Sequence, residues 1–187
     1  MPARRRAATA AAAAGAAARA TAAGASGDGP TASPEKQIAA FLARYTPRIR
    51  AVAKAARAKV RALLPGAVEL VYDNYNALVI AFGASDRAGD ILVSLALYPR
   101  WVTLFFLRGA KLPDPRGLLK GSGPEIRHVV LDGAATLDTP PVRALIAAAR
   151  AGARVPLPLP KSGPRRVLIK SVSPKQRPRR PTAGAGE

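Results

Sequence analysis

The sequence predicts an α+β domain in which an antiparallel sheet of about five to six strands carries helices packed on one face. Three observations carry that expectation. Apolar residues recur at the 3.6-residue period from Ile38 to Leu64. From Val68 to Leu107 the pattern changes to β-branched and aromatic runs joined by connections too short for a crossover helix. A helical stripe returns once, at Val142, Leu145, Ile146 and Ala149, between Pro140 and Gly152.

Ser33-Pro34-Glu35 supplies an N-cap, a proline at the first helical position and a first-turn carboxylate, and Ile38, Phe41, Leu42 and Tyr45 follow at helical spacing. Pro47 restarts the helix, because its ring and missing N–H cannot continue the preceding one. Ile49, Val52, Ala53, Ala56, Val60, Leu63 and Leu64 then form an apolar stripe that must pack on something. Arg50, Lys54, Arg57 and Arg61 stack beside it as a second stripe, a candidate grip on a phosphate backbone and equally an ordinary solvated face. Pro65-Gly66 ends the helix.

Val68 to Tyr72, Ala77 to Phe82, Ile91 to Tyr98 and Trp101 to Leu107 read as four strands of a meander. With Tyr98 opposite Trp101 across the Pro99-Arg100 turn, Ile91, Val93, Leu95, Leu97, Val102, Leu104 and Phe106 share one face, which should lie under the helices. The other face then carries Leu92, Ser94, Ala96, Tyr98, Trp101, Thr103, Phe105 and Leu107. Aromatics among small and hydroxyl side chains make a candidate ligand surface, with Tyr72, Tyr98, Trp101 and Thr103 at its centre, and a minor core would look the same. The loop from Gly109 to Pro124 sets Gly117, Gly121 and Gly123 around Lys120. The order Lys-Gly-Ser before a strand is not the Gly-Lys-Ser/Thr that opens a helix in a P-loop, which leaves only weak anion binding by backbone amides. Arg127 to Leu131 is a fifth strand with Arg127 and His128 on opposite faces, and both join Lys120 as ligand candidates. Thr139-Pro140-Pro141 starts the last helix. Val155 to Pro160 alternates with proline and should lie extended along the body, and Arg166 to Val172 is a short sixth strand.

Charge and composition bound the function classes. The chain of 187 residues has a formal net charge of +19, with +3 before residue 31, +9 from 31 to 160 and +7 after. The body is therefore basic in its own right, which favours polyanions such as nucleic acid, phosphorylated metabolites or acidic surfaces without choosing among them. Compositional bias and solubility would account for the same charge. No cysteine is present and His128 is the only histidine, so disulfides, thiolate chemistry and multi-histidine metal sites are excluded within one chain. Arg4 to Arg6 before an alanine run imitates a secretory signal, but the run lacks strongly apolar residues and Arg19 interrupts it; a transit peptide fits the same features. A disordered segment over 1–32, a single domain over 33–172 and a basic tail over 173–187 is the expected organisation, with no membrane span and a cytoplasmic location. The tail sequence PKQRPRRP adds Lys175, Arg177, Arg179 and Arg180 as nucleic-acid candidates, although it lacks the glycine of a minor-groove hook.

Pro65, Glu69 and Tyr72, followed by LYPRWVTLFFLRGAKLPDP, GLLKGSG, RHVVL and LDTPPVRALIAAA, resemble the bacterial YdhG-like family, a domain of unknown function. The resemblance covers about Ile38 to Ala149, and the closing IKSVSPKQRPRRP resembles the ending of a branch of that family. It implies an α+β fold, and it implies one function, since the family's namesake is regarded as a frataxin-like iron chaperone. Iron delivery needs hard oxygen ligands, and Glu69, Asp73, Asp86 and Asp90 are the one loose acidic group. The residues themselves favour a non-enzymatic binding domain for an unidentified ligand or partner, with an anion as one candidate. A nucleic-acid accessory protein acting through the basic helix face and tail is the second reading. No nucleophile–base pair, metal cluster or cofactor motif speaks for catalysis, and no cofactor is expected.

Overall fold

Helix starts fall where the capping residues put them. In the computed structural model, which describes residues 32–160 and 162–181, helix α1 spans Pro34–Ala43 and helix α2 spans Pro47–Leu63. Ser33 and Thr46 are their N-caps, each followed by proline, and Thr46 Oγ1 accepts the Ile49 N–H at 3.4 Å. Five strands follow: β1 Val68–Asp73, β2 Leu78–Gly83, β3 Ile91–Leu97, β4 Val102–Phe106 and β5 Arg127–Leu131. Helix α3 Pro140–Ala151 and strand β6 Val167–Val172 complete the described chain. The expected disordered segment over 1–32 lies outside the described residues except for Ala32. Among the described residues no helix is long and apolar enough to cross a membrane.

The six strands run in the order β5-β4-β3-β2-β1-β6. From β1 to β5 they form the expected antiparallel meander. The expectation of a wholly antiparallel sheet is corrected at β6, which pairs with β1 in parallel. The connection explains this: the chain leaves β5 at one edge, crosses through α3 and the Val155 to Pro160 stretch, and re-enters at the opposite edge. Gly66 lets the crossing segment pass, since its φ is 85° and a Cβ there would lie 1.9 Å from the Pro158 carbonyl oxygen.

The β3–β4 hairpin closes in the expected register, with Tyr98 N–H donating to Trp101 O at 2.9 Å and Leu97 opposite Val102. Val93, Leu95, Leu97, Val102, Leu104 and Phe106 pack with the apolar stripes of all three helices in the main core. Ile91 and Leu92 exchange places relative to simple alternation: Leu92 joins that core and Ile91 the opposite cluster. The cause is a register shift at Phe82 and Gly83, which pair with Val93 and Ile91 and leave Leu92 as the extra residue. Gly83 permits the bulge, because a Cβ there would come within 2.5 Å of the Asp90 carbonyl oxygen. The opposite face carries a second buried cluster of Leu70, Tyr72, Val79, Ala81, Ala96, Tyr98 and Phe105, to which none of the three helices contributes.

Candidate functional site

The predicted ligand surface does not converge on one point. Tyr72, Tyr98, Thr103 and His128 share the second face and are all buried there. Tyr72 and Thr103 belong to one cross-strand row through Val79 and Ala96, three strand spacings or about 14 Å apart. Trp101 is half-buried at the hairpin end and stacks on Tyr98 with ring centroids 5.1 Å apart. Burial pushes the Tyr98 phenol up to about 12, with Tyr45 adding a smaller push, and pushes the Tyr72 phenol up as well. Neither the Tyr98 hydroxyl nor Thr103 Oγ1 finds a hydrogen-bond partner among the described residues. His128 tilts against Phe105 at 5.3 Å, and burial together with the Lys120 charge lowers its pKa. Lys120 is exposed, joined to His128 by two backbone hydrogen bonds of 2.9 Å, whereas Arg127 lies on the other face and donates to Gly123 O at 2.5 Å.

The basic stripe of α2 is divided between structure and solvent. Glu69 stands in the middle of an apolar strand with no exposure, and an isolated buried carboxylate would be costly. Arg57 gives its Nε–H to Glu69 at 2.7 Å and both terminal nitrogens to Glu35 at 2.8 Å, while Arg61 spans the same two carboxylates. The Arg57 hydrogen bonds hold the Glu35 carboxyl down at about 2 against the opposing effect of burial, and Arg61 adds to the lowering. Arg57 is itself buried. Arg50 and Lys54 remain as the half-buried and exposed members of the stripe.

The segment read as a basic tail is packed on the domain as far as Arg180, which donates to Arg44 O and Ala43 O. Ser173 N–H donates to Asp73 O at 2.8 Å and Arg177 N–H to Tyr75 O at 2.9 Å, which extends the strand-like course of β6 past the β1–β2 hairpin. Asp73 is fully buried and accepts from Arg179 Nη2 at 2.9 Å, from Gln176 Nε2 at 2.7 Å and from Arg44. Arg179, with 5% exposure, also lies over the Tyr45 ring at 5.8 Å, so it is an anchor. Lys175, Arg177 and Arg180 stay exposed. Asp86 pairs with Arg166 at 3.1 Å and Asp90 accepts from Ser85 Oγ at 2.5 Å, so each member of the loose acidic group already has a protein partner. Among the described residues no three of His, Asp and Glu gather as a metal would require.

A cavity of about 150 Å³ opens at the other end of β3 and β4 from Trp101, where α3 ends. Leu92, Phe106, Leu112, Ala149 and Ala153 form its apolar wall, and Arg108, Lys111, Arg154 and Asp90 its polar lining. Among the described residues none of these three cations makes an ion pair; Arg108 Nη2 donates to Gly89 O at 3.3 Å. The helix end beside the cavity is closed by Gly152 N–H donating to Ala148 O at 2.9 Å, which moderates its negative dipole end. An apolar cavity of this size accommodates one ring-sized group.

No family model, no curated protein and no solved structure matches the chain. The cavity cations Arg108, Lys111 and Arg154 were not among the sequence candidates, because the lining comes from three separate segments, near Asp90, Arg108 and Arg154, that the register shift and the α3 crossing bring together. The ion-pair sites did leave a signal: a glutamate inside the apolar run VELVYD must be met by a cation.

Proposed function

We propose that this protein is a non-enzymatic binding domain for small amphipathic anions, with the cavity beside Arg108, Lys111 and Arg154 as its site. The observation that carries the reading is three cations without ion-pair partners among the described residues on the lining of a recess that has an apolar wall. The recess takes one aromatic ring or short alkyl group, and the cations receive a carboxylate or phosphate, since charge-assisted hydrogen bonds contribute roughly twice what neutral ones do. Asp90 opposes this in part, and its bond from Ser85 turns it to local structure. The YdhG-like resemblance supports the fold of such a domain and leaves its ligand open.

Calorimetric titration with benzoate, phenylacetate and phenyl phosphate, against benzyl alcohol as the neutral control, tests the reading. The anions should bind and raise the melting temperature, while the alcohol should not. Arg108→Gln with Lys111→Gln should weaken binding at least about tenfold, and Ala149→Leu, which fills the recess, should abolish it. Trp101 fluorescence should stay unchanged, because Trp101 sits at the opposite end of the strands. Quenching of Trp101 by the bound anion, or undiminished binding by Ala149→Leu, overturns this site.

A further inference from the structure

The geometry points to a second binding surface, separate from the cavity: the β1–β2 hairpin and the docked C-terminal segment form a platform for single-stranded nucleic acid, with Tyr75 stacking a base and Lys175, Arg177 and Arg180 meeting phosphates. Tyr75 keeps 48% of its surface exposed at the hairpin, unusual for an aromatic in this chain. The Arg177 guanidinium lies over its ring at 5.5 Å, and the Arg177 N–H bond to Tyr75 O fixes that pairing. Arg180 is held at the end of α1, donating from Nε to Arg44 O at 3.3 Å and from Nη2 to Ala43 O at 3.4 Å. None of Lys175, Arg177 and Arg180 has a carboxylate partner among the described residues. Asp73, the acid at the root of the segment, is fully buried and already matched by Arg44 and Arg179.

Two features separate this surface from an ordinary basic tail. It is pinned by the backbone N–H groups of Ser173 and Arg177 and by the Arg179 side chain, so the cations lose less conformational freedom on binding than they would on a floppy chain. An exposed tyrosine with a stacked guanidinium offers π-faces that an unpaired base can cover, whereas the bases of a duplex are already stacked on one another. An acidic peptide would satisfy the cations and leave that stacking face unused.

Fluorescence anisotropy of the full chain with a labelled single-stranded oligonucleotide, its duplex and poly-glutamate as competitor, at several salt concentrations, tests the surface. The single strand should bind more tightly than the duplex, and poly-glutamate should compete poorly. Tyr75→Ala should weaken binding about tenfold, with Tyr75→Phe and Tyr75→Trp retaining it. Arg177→Gln and Arg180→Gln should each reduce the slope of log affinity against log salt by about 0.7. Tyr75 is 48% exposed, so the Tyr75 variants should melt as the parent does. The proposal is overturned if Tyr75→Ala binds like the parent, if the duplex binds as well as the single strand, if poly-glutamate displaces the strand efficiently, or if no strand binds at low salt.

Discussion

Tyr45 is the residue that ties the helical layer to the sheet. It is fully buried at the corner between α1 and α2, where its hydroxyl donates to Leu97 O and accepts the Leu78 N–H, both at 3.0 Å. Leu78 and Leu97 face each other across β2 and β3, so one phenol serves two strands at once. Burial pushes that phenol up to about 12 despite the opposing Arg179 charge, and it therefore stays protonated and donating over the whole working range. Tyr45→Phe keeps the packing volume and leaves a buried donor and a buried acceptor unmatched. The expected cost is about 2 kcal/mol, read as a lower urea midpoint at unchanged m-value. A loss below about 0.5 kcal/mol would mean that water replaces the hydroxyl and that the two layers are joined by apolar packing alone.

The C-terminal segment is an element of the fold even though it has no regular secondary structure beyond Val172. Its contribution centres on Arg179, which with Arg44 and Gln176 compensates the fully buried Asp73. Arg179→Ala leaves that carboxylate short of one charged partner, at an expected cost of about 3 kcal/mol, which for a domain of this size lowers the melting temperature by roughly 6 to 12 °C. Asp73→Asn in the Arg179→Ala background should recover part of the loss, since the uncompensated charge goes with the acid. If Arg179→Ala melts like the parent, the segment rests on the domain without supporting it. This element also marks how far the sequence was legible. Caps, prolines and periodicity placed the helices and the five meander strands, and two-residue hairpin logic set Tyr98 against Trp101. The proline-rich basic composition of the segment read as a basic tail and left its docking unread, because its partners Asp73, Tyr75 and Ala43 lie about 100 or more residues away in sequence. The exchange of Ile91 and Leu92 and the parallel pairing of β6 were hidden for the same reason: each is decided by a partner strand or a crossing segment, not by local pattern. The cavity inherits both.

The whole molecule carries a net +19 and folds around a small number of carboxylates that each hold cations in place. Its stability should therefore fall on acidification in two stages, and the sign of each follows from which state binds protons more readily. His128 has its folded pKa lowered from 6.5 by burial and then by Lys120, so the unfolded chain takes up that proton first. Its contribution is complete above pH 6.5 and is lost as pH falls toward the folded value. Glu35 has its folded pKa lowered from 4.5 to about 2, chiefly by the Arg57 hydrogen bonds, so its contribution is complete above pH 4.5 and is lost between there and about 2. The Glu35 side chain is 55% exposed, and solvent screening reduces that contribution to about 1 kcal/mol. Protonating Glu35 also takes a countercharge from Arg57 and Arg61 just as the net positive charge rises, so self-repulsion should steepen the lower stage. Melting temperature measured from pH 8 to pH 2.5 should show a plateau, a shallow decline below 6.5 and a steeper one below 4.5. His128→Gln should remove the first decline and Glu35→Gln should flatten part of the second, while lowering the plateau. A profile for Glu35→Gln that runs parallel to the parent below pH 4.5 would show that the arginine cluster is held by Glu69 alone and that the acid response belongs to charge repulsion across the surface.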